Sequence, residues 1–219
     1  PGARLKGLNI LVSQLPASPD AVAQLAKVAA LRQGRGAPVR DERAFAGPQA
    51  LLLAALSRAA TQLQEPRYRA AADRLYTGLC AFVANGATPT VRRLQGSGEV
   101  ATPTDLAALA LGFRAYAQAA GKPEAGQRAD TILRKLVTEC LESAHGEFLV
   151  PPLPPKTGFL TYRIPALAEP CHAEALALLA GLGGKDAALV RAGIIGRLGR
   201  EDDASGGDLL LALGASSAE

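Results

Sequence analysis

Residues 40–79 read RDERAFAGPQALLLAALSRAATQLQEPRYRAAADRLYTGL, and the reading of this stretch decides the fold. Pro48 suits the first position of a helix, where its missing N–H is not needed and its fixed φ is already helical. Leu52, Ala55, Leu56 and Ala59 follow at i, i+3, i+4 and i+7, one face of a 3.6-residue period. Leu51, Leu53 and Ala54 widen that face almost all round, the pattern of a largely buried helix. Gln62, Gln64 and Glu65 break it, and Pro66 starts a second helix after a short connection. In the second helix Ala71, Leu75, Leu79 and Phe82 form one stripe, while Arg67, Arg69, Asp73 and Arg74 occupy other faces. The first helix is expected to be inner and the second outer.

The same plan returns twice downstream. Thr102-Pro103-Thr104-Asp105 opens an apolar helix with Leu106, Leu109, Ala110 and Phe113 at helical spacing. Gly121-Lys122-Pro123 breaks it, and residues 124–141 give an amphipathic partner with Ile132, Leu136 and Cys140 inward. A third apolar helix begins near Pro170 and carries Ala173, Leu176, Ala177 and Ala180; after Gly183-Gly184, residues 186–198 give its outer partner. The spacing of Pro48, Pro103 and Pro170 exceeds the repeat length of common helical solenoids.

The expected fold is therefore all-α: an incomplete (α/α) toroid of repeated helical hairpins, with short β-hairpin-like or extended loops between them. Inner helices are expected over 48–63, 103–119 and 170–181, with Leu52, Leu56, Leu75, Leu109, Phe113, Ile132, Leu136 and Leu176 in the core. Residues 1–204 are expected to form the partial toroid and 205–219 a tail. Upstream, LKGLNILV suits an extended segment. Ser18-Pro19-Asp20 starts a helix that runs to about Arg32 and ends at Gly34 and Gly36. Between the first two hairpins, the turn signals Asn85-Gly86 and Gly96-Ser97-Gly98 frame a candidate strand over 90–94. Pro151, Pro152, Pro154, Pro155 and Pro165 mark an extended loop before the third.

Composition narrows the function classes. The 24 basic and 20 acidic residues are spread along the chain, and no basic patch is interleaved with aromatics, so nucleic acid is not an expected partner. No apolar run reaches transmembrane length, and no signal peptide is visible, so the expectation is no membrane and, for location, the cytoplasm. Cys80, Cys140 and Cys171 are widely spaced and read as buried reduced thiols rather than a disulfide framework. No metal site or cofactor motif is found. The chain starts at Pro1 and contains no Met, so it is expected to be a fragment or processed product.

LKGLNIL, LAKVAALRQGRGAPVRDERAFAGPQALLLAALSRA, EPRYRAAADRLYTGL, VATPTDLAALALGFRAYAQAAGKPEAGQRAD and PCHAEALALLAGLGG, in this order, resemble one family. It is the C-terminal helical part of the thioredoxin-domain-containing, spermatogenesis-associated, six-hairpin-glycosidase-like proteins of bacteria and eukaryotes. The resemblance covers most of residues 5–200 and implies an α/α toroid behind a thioredoxin-like domain. Family members usually carry an Asp-Asp-Lys followed by a Trp-Asn pair at the first inner helix. Here the stretch reads Asp41-Glu42-Arg43 and then Gly47-Pro48. At the next inner helix the usual Asp-Asp pair is Thr104-Asp105, and the Ser-Gly-Asn-like run is absent near Cys171-His172.

The residues with chemical potential lie at the starts of inner helices. Asp41 and Asp105 could act as a paired acid and base on a sugar, with His172 as a proton carrier. Arg40, Glu42 and Glu174 are the flanking binding candidates. The structural reading of the same residues is capping and ion pairing, since helix starts favour acids. Two functions follow. One is a non-catalytic, degenerate toroid segment serving as scaffold or binding module. The other is a carbohydrate-active enzyme of epimerase or glycosidase-like type. A half-toroid with nearly all-apolar inner helices would leave apolar surface in water. The expected partner is therefore the missing N-terminal half of the same protein or a second copy of the chain, with a carbohydrate as possible ligand.

Overall fold

The computed structural model describes residues 19–34, 42–84, 90–150, 164–165 and 172–198. They divide into two compact units, 1–42 and 43–219. The first contains α1, Pro19–Gln33, with Asp20 in its first turn and Arg32 in its last, charges that complement the helix dipole. Val22, Leu25 and Leu31 of α1 are exposed.

The second unit is all-α, built of helical hairpins. Helix α2 (Ala46–Leu63) turns into α3 (Pro66–Cys80), α4 (Pro103–Ala120) into α5 (Pro123–Cys140), and α6 (His172–Leu179) into α7 (Gly184–Leu198). Helix α4 packs against α2 on one side and α6 on the other, and α3, α5 and α7 each pack on the inner helix that precedes them. This is the inner–outer order expected from the sequence. Proline stands at the first turn of α3, α4 and α5, as its locked φ requires. Gln64 and Gly121 close α2 and α4 in the left-handed region. No described helix is long and apolar enough to cross a membrane.

Sheet structure is marginal and peripheral. Strands β1 (Leu141–Glu142), β2 (Glu147–Val150) and β3 (Ile164–Pro165) form a small antiparallel sheet in that order, with Leu141 opposite Phe148 and Val150 opposite Ile164. Phe148 plugs this sheet into the core. The expected strand over 90–94 is reduced to single bridges, Val83 to Val91, Arg92 to Val100 and Phe45 to Leu94. Most of the proline-rich loop, Cys171 and the 204/205 boundary with its tail lie outside the described residues.

Leu109, Phe113, Ile132, Leu136 and Leu176 are buried as expected, and Leu56 and Leu75 are partly buried against the core. Leu52 is a correction: it is 52% exposed. The buried face of α2 is Ala46, Gly47, Ala50, Leu53, Ala54 and Ser57, one residue out of phase with the stripe taken from the sequence. The reason is the closeness of α2 to α4. A Cβ on Gly112 would stand 2.5 Å from the carbonyl oxygen of Ala50, so the two backbones touch where neither has a large side chain. Such an approach selects the alanine face of α2 over its leucine face.

Helices α3 and α4 are joined by an aromatic ladder. The Tyr76 ring stacks on Tyr116 at 4.3 Å and meets Phe113 edge-on at 5.3 Å. The Tyr116 hydroxyl donates to Asp73 Oδ1 at 2.7 Å, and this bond holds the Asp73 carboxyl below its ordinary range. Burial, with Asp73 second, pushes Tyr116 up to about 12 from 10.0. Burial likewise raises Tyr76 to about 12. A raised folded pKa means the native state keeps protons that the unfolded chain releases. The stability from these tyrosines is thus whole below pH 10 and is lost as pH rises from 10 towards 12. Thermal melts across that window should show a falling midpoint, and Tyr116→Phe should flatten the fall; an unchanged slope would contradict the burial of the ring.

Candidate functional site

The N-terminal rim of the inner helices holds the residues singled out by sequence. Thr102 and Asp105 form a capping box at the start of α4. The Thr102 N–H and hydroxyl both donate to Asp105 Oδ2, at 3.0 and 2.9 Å, and the Asp105 N–H donates to Thr102 Oγ1 at 3.3 Å. Arg93 Nε stands 3.6 Å from the same carboxylate oxygen. The other oxygen, Oδ1, faces α2: a Cβ on Gly47 would lie 2.5 Å from it. Asp105 is 6% exposed, so one oxygen is saturated and the other is covered by backbone.

Glu174 occupies the first turn of α6 and is 3% exposed. Its Oε1 accepts the Phe148 N–H at 2.8 Å, which ties β2 to α6. His172 is the first residue of α6 and is half-buried. Glu42 is exposed ahead of α2, and Arg40 and Asp41 lie outside the described residues. Arg43 and Arg93 both lie over the Phe45 ring, 5.4 and 5.9 Å from its centre. The rim is thus made of cross-braces between elements. His145 belongs to a separate turn, where Glu142 accepts the N–H groups of Ala144 and His145; these bonds hold the Glu142 carboxyl below its ordinary range.

A second region was not foreseen. Near the C-terminal ends of α2, α4 and α6 lies an open cleft of about 260 Å³ whose lining includes Ser57, Arg58, Leu111, Arg114, Ala115 and Leu179. Arg114 pairs with Asp130 of α5 and rests against Gly181. Among the described residues, the Ser57 hydroxyl and Arg114 Nε are buried with no hydrogen-bond partner. The signal for this region was available: Arg114 is the one charge inside α4 beyond its first turn, and Ser57 and Arg58 interrupt the apolar run of α2. Among the described residues no group of three or more His, Cys, Asp or Glu side chains is placed to hold a metal.

Compared with known proteins, the chain matches no family model and no curated sequence.

Proposed function

We propose that this protein is a non-catalytic helical scaffold or binding module, a degenerate toroid segment of the kind found behind a thioredoxin-like domain in the family it resembles. One observation carries the reading. Asp105, the strongest candidate acid, has Oδ2 engaged by Thr102 and Arg93 and Oδ1 packed on Gly47, and at 6% exposure the carboxylate is closed off from a substrate. A general acid or base must come within hydrogen-bond reach of the proton it moves. Glu174 is committed in the same manner to the Phe148 amide. These carboxylates support the fold at the place where a sugar-processing toroid would do its chemistry.

Titration with a panel of mono- and disaccharides, read by thermal shift, tests this. The expected result is no saturable shift. Asp105→Ala should instead lower stability by about 1–2 kcal/mol, because it removes half of the capping box and leaves Arg93 without its acid. Saturable sugar binding that Asp105→Asn abolishes would overturn the scaffold reading in favour of the carbohydrate-active one. The proposal includes a polypeptide partner, the remainder of the toroid or a second copy. Sedimentation of the isolated chain should give a mass above 22.5 kDa if a second copy suffices. A monomer that stays well behaved at high concentration would remove the second copy from the proposal.

A further inference from the structure

We propose that the turn between β1 and β2 is an acid-released latch that holds α7 to the rest of its unit. Helix α7 leans on short elements. Among the described residues it packs chiefly on α6, which is 8 residues long, and on β2, whereas α3 and α5 lie along inner helices of 18 residues. Its buried side chains are Ala187, Val190 and Ile194. The turn meets α7 backbone to backbone. A Cβ on Gly193 would overlap the carbonyl oxygen of His145, and one on Gly146 would overlap that of Leu189. With no side chain between them, the contact lasts only while the turn keeps its shape.

Glu142 keeps that shape. The Ala144 N–H donates to its Oε1 at 3.1 Å and the His145 N–H to its Oε2 at 2.8 Å, while the Gly146 N–H donates to its backbone carbonyl at 3.0 Å. An ionised carboxylate accepts such bonds more strongly than a protonated one. The two side-chain bonds hold the Glu142 carboxyl below its ordinary value of 4.5. A depressed folded pKa means that their contribution is present above 4.5 and is lost as pH falls below it. The charged groups nearby lie on every element around the turn. His145 Nδ1 stands 2.9 Å from Oε2, and a proton there adds attraction. Glu147 of β2 is opposite Glu142 in the ladder, and Glu139 of α5 is paired with Lys135. Glu174 of α6 accepts the Phe148 N–H, and Arg191 of α7 follows the contact residues Leu189 and Val190. The release is assigned to Glu142 because its carboxylate is bonded into the turn at two N–H groups.

Release would free α7 and uncover Val190 and Ile194, leaving the α2–α5 core in place. Amide hydrogen exchange on the full chain tests this, read at about pH 6 and about pH 3, either side of the carboxylate range, and corrected for the intrinsic pH dependence of exchange. Protection of the Val190 and Ile194 amides is expected to fall about tenfold or more at the lower pH, while Leu109 and Phe113 of α4 keep theirs. Glu142→Gln removes the charge and keeps the side-chain shape, so α7 should show the low protection at both pH values. Glu147→Gln should leave the pH dependence of the unaltered chain in place. The proposal is overturned by any of four results: unchanged protection of α7 at the lower pH, an equal loss in α4, a pH dependence that survives in Glu142→Gln, or one that disappears in Glu147→Gln. It stands apart from the scaffold reading, because the saccharide titration concerns Asp105 and the rim, and the exchange experiment concerns α7.

Discussion

Leu53→Ala is expected to cost about 2–5 kcal/mol, and Leu52→Ala less than about 0.5 kcal/mol. The two leucines are neighbours on α2 with the same chemistry, so propensity and unfolded-state effects nearly cancel in the comparison. What differs is burial. Leu53 is fully buried against α4, and truncation leaves a cavity among helices whose backbones are too close to collapse further. Leu52 is half in water already, and its truncation removes little that folding had gained. Leu109→Ala, in the centre of α4, should match Leu53→Ala, since it too is fully buried. Denaturant melts on the three variants measure this directly. Equal losses at 52 and 53 would mean that something covers the leucine face of α2.

This pair also marks where the sequence stopped being legible. Helix positions were readable because proline and glycine punctuate them: Pro66, Pro103 and Pro123 all stand at helix starts, and Gly121 ends α4. The capping box at Thr102 was readable for the same reason, as a local pattern with a local cause. The phase of α2 was not. Three consecutive leucines at 51–53 fit two stripes equally well, and the choice between them was made by Gly112, which lies on another helix. Hydrophobicity alone favours the leucine stripe; close backbone approach favours the alanine one, and it won.

The candidate site divides along the same line. Asp105 could be recognised as a helix-start acid, and its capping role followed. Its contact with Gly47 could not, because that contact joins the starts of two helices far apart in sequence. The bond from the Phe148 amide to Glu174 is likewise set by the small sheet, not by the sequence around α6. Arg114 stood out as a charge in an apolar helix, but its partner Asp130 is on the outer helix, and only the α4–α5 hairpin brings the two together.

Gly112→Ala should lower stability by about 2–3 kcal/mol, and Gly112→Val by more. In an isolated helix the first change would be favourable, by about 1 kcal/mol, because glycine is a poor helix former. Here the added methyl meets the Ala50 carbonyl oxygen at 2.5 Å and the Ala50 Cα at 3.3 Å. Both are backbone atoms, so no side chain can swing aside, and α2 and α4 must separate along the face that buries Ala50, Leu53 and Ala54. The loss of dispersion contact over that face exceeds the gain in propensity. Gly78 supplies the control. It lies in α3 with nothing within 4 Å of where its Cβ would stand, so Gly78→Ala should stabilise by up to about 1 kcal/mol. Opposite signs for the same substitution at two helical glycines are expected in chemical denaturation. If Gly112→Ala is stabilising like Gly78→Ala, the inner helices do not touch backbone to backbone, and the reason for the phase of α2 falls with that contact.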